Sequence, residues 1–513
     1  DINNPALNSA VIPTARQETF IIAGQPQGMT LPGYTGGKYQ EIRTYDYMGD
    51  AAMNVLTSRQ YVWTSYKDMN GDRILDRVTN TMTFDPFVGN NRPFLFEQSW
   101  KEMQKVNETD RYVTVKLTFD TNISYEIPLS KEVSWKEIQT IGGNETAVTV
   151  VQLYELPGSN IMTQRSESYR TFLENKLTTV TNIFELEPLT SNIPTSVTHT
   201  YVDSPHGTDE IGAVTVTKYY TNIGTVTSPE LYLETAQRSF KASADKLAAK
   251  PAYSAAVIQV TKSYIDVTGD GKIDFDTDYL DTVTYGYRAS VTNSLGEKVT
   301  AQVTEGLINI SGAYYKESVS YSYRTKEERP SSDIDIFVNN TEIYEGKFDT
   351  LTSDGKFKDA FLTQITKGYS IVKNIGGKDI IVKVSESYAP YSDNEIKTNI
   401  SYGWKQIGAR DKDKEESDRI VTVVENYYPG DAGSLLLLST EYSYRKLSQD
   451  WKNIKLVSTI TKVYETEQYL LTSVRETYKT QHADKPNSEL ANNTDLPITV
   501  TKIWEIDLSN WSS

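Results

Sequence analysis

From Gln60 onward one pattern of apolar and polar positions recurs along the chain, reading apolar-x-Ile/Val-x-polar-x-aromatic. Its period is two, the repeat at which a strand sends side chains to one face of a sheet. Val148-Thr-Val-Val-Gln-Leu-Tyr154, Ile258-Gln-Val-Thr-Lys-Ser-Tyr264 and Ile498-Thr-Val-Thr-Lys-Ile-Trp504 show it plainly. A second strand type usually follows and ends small-aromatic-basic. Examples are Ser99-Trp-Lys101, Ser134-Trp-Lys136, Ser168-Tyr-Arg170, Gly286-Tyr-Arg288, Ser322-Tyr-Arg324, Gly403-Trp-Lys405 and Ser443-Tyr-Arg445. The two types together repeat every 40 residues, roughly, which predicts ten or eleven hairpins and signals a propeller, an array or a solenoid.

The faces follow from the same alternation. In Ile396-Lys-Thr-Asn-Ile-Ser-Tyr-Gly-Trp404 one face carries Ile396, Ile400, Tyr402 and Trp404, and the other carries Lys397, Asn399, Ser401 and Gly403. An antiparallel sheet with one packed and one wet side reads this way. A Thr-Lys pair recurs in mid-strand, with Lys218, Lys262, Lys367, Lys462 and Lys502 sharing parity with the apolar residues. Each stem is expected to lie over an aromatic ring while the ammonium reaches the rim. The fold class is therefore all-β, built of repeated antiparallel hairpins, either β-propeller-like or an elongated β-meander. A propeller is placed slightly ahead. A helix is expected only near Ala242 to Lys250, stopped by Pro251.

Domain limits come from composition shifts. Residues 1–42 carry Pro5, Pro13, Pro26, Pro32 and a Gly-rich run, and are expected as an extended arm. Within it Glu18-Thr-Phe-Ile-Ile-Ala23 could add as a strand to a neighbouring subunit. A β-repeat block over 43–241, a linker with a short helix over 242–256 and a second block over 257–513 follow.

Two turns carry candidate chemistry. In Tyr264-Ile-Asp-Val-Thr-Gly-Asp-Gly-Lys-Ile-Asp274, Asp266, Thr268, Asp270 and Asp274 fall at positions 1, 3, 5 and 9 of a calcium loop. Gly271 takes the sharp turn, and Lys272 falls at position 7, whose ligand is a backbone carbonyl. Asp68, Asn70, Asp72 and Asp76 repeat the oxygen pattern, with Arg73 where the other loop has glycine. Hard oxygens on alternate residues of a tight loop converge on one centre, which is what Ca2+ needs. The competing reading is an Asx-rich β-turn, built from the same residue types. Both loops resemble the Asp-x-Asn-Gly-Asp-Gly-x-x-Asp hairpin loops of FG-GAP and VCBS-type repeats. That resemblance implies extracellular, calcium-stiffened β-repeats used for adhesion or display.

Composition narrows the functional classes. The 513 residues carry a formal charge of -16, and no run of Lys and Arg stands out, which argues against nucleic acid as a partner. Cysteine is absent, so disulfides, thiolate metal sites and cysteine nucleophiles are excluded, and the three histidines show no ligand spacing. No nucleophile elbow, zinc-protease helix, P-loop or dinucleotide fingerprint occurs; only a carboxylate-only glycosidase would leave no such signature. The start at Asp1, without methionine or apolar leader, is expected of a processed, secreted chain. The expectation is a non-enzymatic, calcium-binding structural or adhesive protein of the cell surface or exterior. It would act through protein–protein contacts, with itself or a surface partner. The alternatives are an outer-membrane β-barrel and a carbohydrate-binding or carbohydrate-active propeller.

Overall fold

The structure is a computed structural model. It describes residues 15–505 apart from 27–28, 47–54, 89–91, 156–161, 186–193, 206–209, 223–230, 248, 254–256, 266–272, 274, 276–278, 311–312, 329–334, 352–356, 376, 392–393, 408–419, 431–433, 450–454, 466–469 and 482–496.

Alternation produces strands and almost nothing else. The first thirteen are Ala15–Ala23 (β1), Lys38–Asp46 (β2), Val55–Lys67 (β3), Asp76–Phe84 (β4), Leu95–Val106 (β5), Thr109–Asp120 (β6), Ser130–Ile141 (β7), Asn144–Tyr154 (β8), Gln164–Leu173 (β9), Lys176–Phe184 (β10), Ser196–Asp203 (β11), Ile211–Asn222 (β12) and Leu231–Ser243 (β13). The second thirteen are Val257–Ile265 (β14), Tyr279–Thr292 (β15), Lys298–Ile310 (β16), Ala313–Glu327 (β17), Ile336–Leu351 (β18), Phe357–Ile375 (β19), Lys378–Tyr391 (β20), Asn394–Ile407 (β21), Ile420–Pro429 (β22), Leu435–Gln449 (β23), Lys455–Glu465 (β24), Leu470–Gln481 (β25) and Pro497–Glu505 (β26). The expected helix reduces to a 3-10 turn at Ala244–Lys246, because Pro251 follows within a few residues and the chain must re-enter the sheet as β14.

Every strand pairs antiparallel with the next, from β1–β2 through to β25–β26, in one 26-stranded sheet. This is the elongated meander of the two expected architectures; propeller blades would break the ladder at intervals of about four strands. The ladder also runs unbroken through 242–256 by way of β13–β14 pairing. Residues expected as an extended arm supply β1 and β2 of the same sheet, tied down by buried Leu31 and by Trp63 Nε1 donating to Pro32 O at 3.1 Å. The hairpin count exceeds the expected ten or eleven, since 26 strands make thirteen pairs. The extra pairs come partly from residues before Gln60.

Successive repeats are staggered. Lys101 of β5 lies across Thr114 from Ser134, two residues before Lys136. Lys136 likewise leads through Thr149 to Ser168, two before Arg170, and Lys405 leads through Thr422 to Ser443, two before Arg445. Two residues per hairpin is about 6.6 Å along the strand for about 9.6 Å across it, a slope of about 35°. Closed barrels use the same slope.

Here the sheet does not close; it winds. Asp85, just after β4, meets Arg324 of β17; Glu155, just after β8, meets Lys405 of β21; Glu185, just after β10, meets Arg445 of β23. In each case the partner lies thirteen strands later. The difference is constant, whereas a sheet folded back on itself would keep the sum constant. The ribbon therefore makes two turns, β1–β13 and β14–β26. The rim of even-to-odd connections on the first turn (the upper rim) abuts the rim of odd-to-even connections on the second (the lower rim).

One face of the ribbon is packed. Val78, Val113, Val148, Val214, Val260, Val303, Val319, Val382 and Val423 are all within 1 % of full burial on it. Neither a helix nor a second sheet lies over this face among the described residues. The face is covered by convergence of its own long Tyr, Trp and Phe side chains as the sheet curls. The lysines depart from expectation: in Lys262, Lys367 and Lys502 the ammonium itself lies over a ring, 5.1, 5.1 and 4.7 Å from the centroids of Phe240, Tyr388 and Tyr478, and Lys218 and Lys462 are buried.

Candidate functional site

The oxygen-rich turn after β3 is where sequence placed one ion site. It is exposed and curled by its own side chains. Asp68 Oδ1 accepts from Gly71 N at 2.7 Å and Oδ2 from Arg73 N at 2.9 Å. Asn70 Oδ1 accepts from Asp72 N, Asp72 Oδ1 from Ile74 N, and Asp76 Oδ2 from Met69 N, at 3.1, 2.7 and 3.1 Å. Gly71 and Arg73 both have positive φ, 80° and 69°. Arg73 holds this left-handed conformation at the steric cost a Cβ brings there, at the position where the other loop's sequence has glycine.

The structure thus brings Asp68, Asn70, Asp72 and Asp76 around one turn, at least one side-chain oxygen of each accepting a backbone N–H. Hard oxygens suit calcium chemically, and a carboxylate keeps lone pairs free after accepting one such bond. Among the described residues no three acidic or histidine side chains gather closely enough to hold an ion unaided. Asp266, Thr268, Asp270, Lys272 and Asp274 of the other loop lie outside the described residues.

What surrounds that second loop is described. Ile273 is buried with Leu233, Ala236 and Tyr264. Phe275 meets the Tyr264 ring edge-on at 5.0 Å and receives the Arg238 guanidinium over its face at 5.4 Å. Arg238 is only 2 % exposed and is held by Glu210 through two bonds of 2.9 Å, by Asp203 and by Ser204 O. Burial raises the Asp203 carboxyl, but Lys176, the Ser204 N–H and Arg238 outweigh it and hold the group below its usual range. Residues on either side of Asp274 are therefore seated in the packed face, so an ion bound there would act on the core.

Two features escaped sequence reasoning. The first is a row of glutamates on alternate strands of the second turn, three buried and Glu425 partly so. Glu305 accepts from Tyr287 Oη and from Ala252 N. Glu342 accepts from Ser294 N and Oγ and from Tyr323 and Tyr344. Glu386 accepts from Tyr369 and Tyr388, and Glu425 from Tyr427. Burial, then Glu305 and Glu342 respectively, push Tyr287 and Tyr344 far above the ordinary phenol range. The signal available was Glu-x-Tyr with the Glu in apolar parity, at Glu342, Glu386 and Glu425.

The second is the seam between turns, where the basic residue of the small-aromatic-basic motif finds its use. Arg324 bonds Asp85 at 2.9 Å and lies 3.8 Å from the Phe94 ring centroid; Arg288 lies 6.0 Å from that of Phe87. Arg92 reaches back to Asp335 O and stacks over Phe337, and Asn122 pairs with both backbone atoms of Phe337 at 2.8 and 2.7 Å. Two grooves open along the seam. One is lined by Asp85, Phe87, Arg288 and Arg324, and the other by Glu185, Lys405 and Arg445. Each presents one carboxylate among its lining residues, already bonded to arginine, where glycoside hydrolysis uses two.

No helix among the described residues is long and apolar enough to cross a membrane, a statement that does not bear on strands. Comparison of the chain with known protein families, with curated proteins and with solved structures gives no match.

Proposed function

We propose that this chain is a calcium-stiffened structural protein of the cell surface or exterior that works through protein–protein contacts. The observation that carries this reading is the single wound ribbon, an extended scaffold with long rims whose end strands β1 and β26 each have one ladder partner among the described residues. The two seam grooves each present one carboxylate, bonded to arginine, and a third groove is lined by Lys250, Lys316 and Lys347. Calcium would bind at the Asp266–Asp274 turn, whose flanking Ile273 and Phe275 are anchored in the packed face, and at the Asp68–Asp76 turn, where the curl already exists.

A ligand bound only by the folded chain stabilises it by RT ln(1 + [L]/Kd), about 2.7 kcal/mol at a hundredfold excess over Kd. Melting in millimolar calcium and then in chelator tests this. The expected outcome is a higher melting temperature in calcium that Asp270→Ala largely abolishes. If the variant and the parent melt alike in both buffers, the loop is a turn and nothing more.

A further inference from the structure

The seam repeats a rule, and the two outer rims of the ribbon are left to obey it. Within the chain, basic residues at the lower ends of odd strands on the second turn meet the upper rim of the first. Lys101, Lys136 and Arg170 occupy the same motif position on the first turn, and all three are exposed, with no partner among the described residues. Beside them on the same face lie Met103, Ile138 and Phe172, which are 51, 65 and 73 % exposed.

The opposite rim of the second turn is apolar as well, with Ile310, Phe361, Tyr428 and Leu436 at 52 % exposure or more. Of the 27 large hydrophobic residues exposed among the described residues, 19 lie on these two outer rims, four on the seam rims and four on β1 or β26. A hydrophobic surplus concentrated at the two ends of a structure marks contact surfaces.

The end strands fit the same operation. β1 has no ladder partner other than β2, and β26 none other than β25, among the described residues. Phe20, Ile21, Ile503 and Trp504 stand exposed on these edges. A second copy whose β1 pairs with β26 would continue the meander as a twenty-seventh strand. Its β9 would then stand over β22, thirteen strands back, as β17 stands over β4 within one chain.

We propose that the occupant of these rims is a second copy of this chain, docked end to end. The β1 edge of one copy pairs with the β26 edge of the next, and the first-turn lower rim stacks on the second-turn upper rim. The contact is heterologous and does not close, so it propagates into a filament. The proposal rests on the structural reading above and names its partner.

The chain has no cysteine, which makes the test direct. Phe172→Cys on β9 and Tyr428→Cys on β22 replace exposed residues that the thirteen-strand rule brings together. Mixed and mildly oxidised, these two variants are expected to cross-link to each other and neither to itself. Phe172→Cys mixed with Ile310→Cys, which belongs over β3, is expected not to. Light scattering on the parent should show mass growing with concentration, and Lys136→Glu with Arg170→Glu should weaken that association about tenfold or more at unchanged melting temperature. Absence of the mixed cross-link, like-with-like cross-linking, or equal cross-linking of the mismatched pair overturns the proposal. A parent that stays monomeric yet is stabilised by calcium also overturns it, while leaving the calcium reading standing. Growth that ignores both chelator and Asp270→Ala supports stacking and removes calcium from the account.

Discussion

Glu342 has no exposed surface and is bonded by the Ser294 backbone and hydroxyl and by two tyrosines. Removing the carboxylate takes the acceptor from four donors on three partly buried residues, and each donor left stranded costs about 1–3 kcal/mol. Glu342→Ala is thus expected to lower unfolding free energy by about 3 kcal/mol or more in urea titration, and Glu342→Gln by clearly less. Equal small losses would mean that the network relaxes around the gap. At this scale the sequence was informative where a residue type acts locally. The Asp68–Asp76 turn curls as its Asp, Asn and Gly predict, since Asp68, Asn70 and Asp72 each accept from an N–H two to five residues on. Glu342 and Arg238 were not legible, because their partners arrive from other strands.

At the scale of the strand, the recurring small-aromatic-basic motif makes two kinds of element from one pattern. The aromatic residue packs in both turns: Trp100, Trp135, Trp404 and Tyr444 are each no more than 7 % exposed. The basic residue diverges, bonded across the seam at Arg324 and exposed at Arg170. Arg324→Ala loses the Asp85 bond and the stacking on Phe94, and is expected to cost about 1–3 kcal/mol; Arg170→Ala is expected within about 0.5 kcal/mol of the parent. Denaturant midpoints of the two variants decide it, and equal values would mean the seam carries no energy. Strand order was legible, because short turns between alternating segments favour neighbours in sequence.

For the whole molecule the seam ties together strands that the ladder alone would leave thirteen places apart. A ribbon held only by neighbour pairing would unfold piecemeal, as stacked repeats do. With the seam intact the two turns are expected to unfold in one transition. Replacing Arg324, Lys405 and Arg445 together by alanine should broaden that transition and lower its apparent m-value, measured by denaturant titration with tyrosine fluorescence and far-ultraviolet dichroism. Coincident, unbroadened curves from both probes would show that the ladder alone supplies cooperativity.

By itself the sequence determined the all-β class, the hairpin repeat, the packed and wet faces and the curl of the Asp68–Asp76 turn. Each is set by side-chain parity or by φ preferences within a few residues. Only the tertiary structure decided that the hairpins form one continuous ribbon rather than separate blades, and that the ribbon winds through thirteen strands per turn. Curvature is a small stagger and twist per strand, accumulated over more than two hundred residues, and no local pattern encodes the sum. Asp85 and Arg324 therefore look like ordinary surface charges in the sequence and become a salt bridge only when the winding brings the rims together.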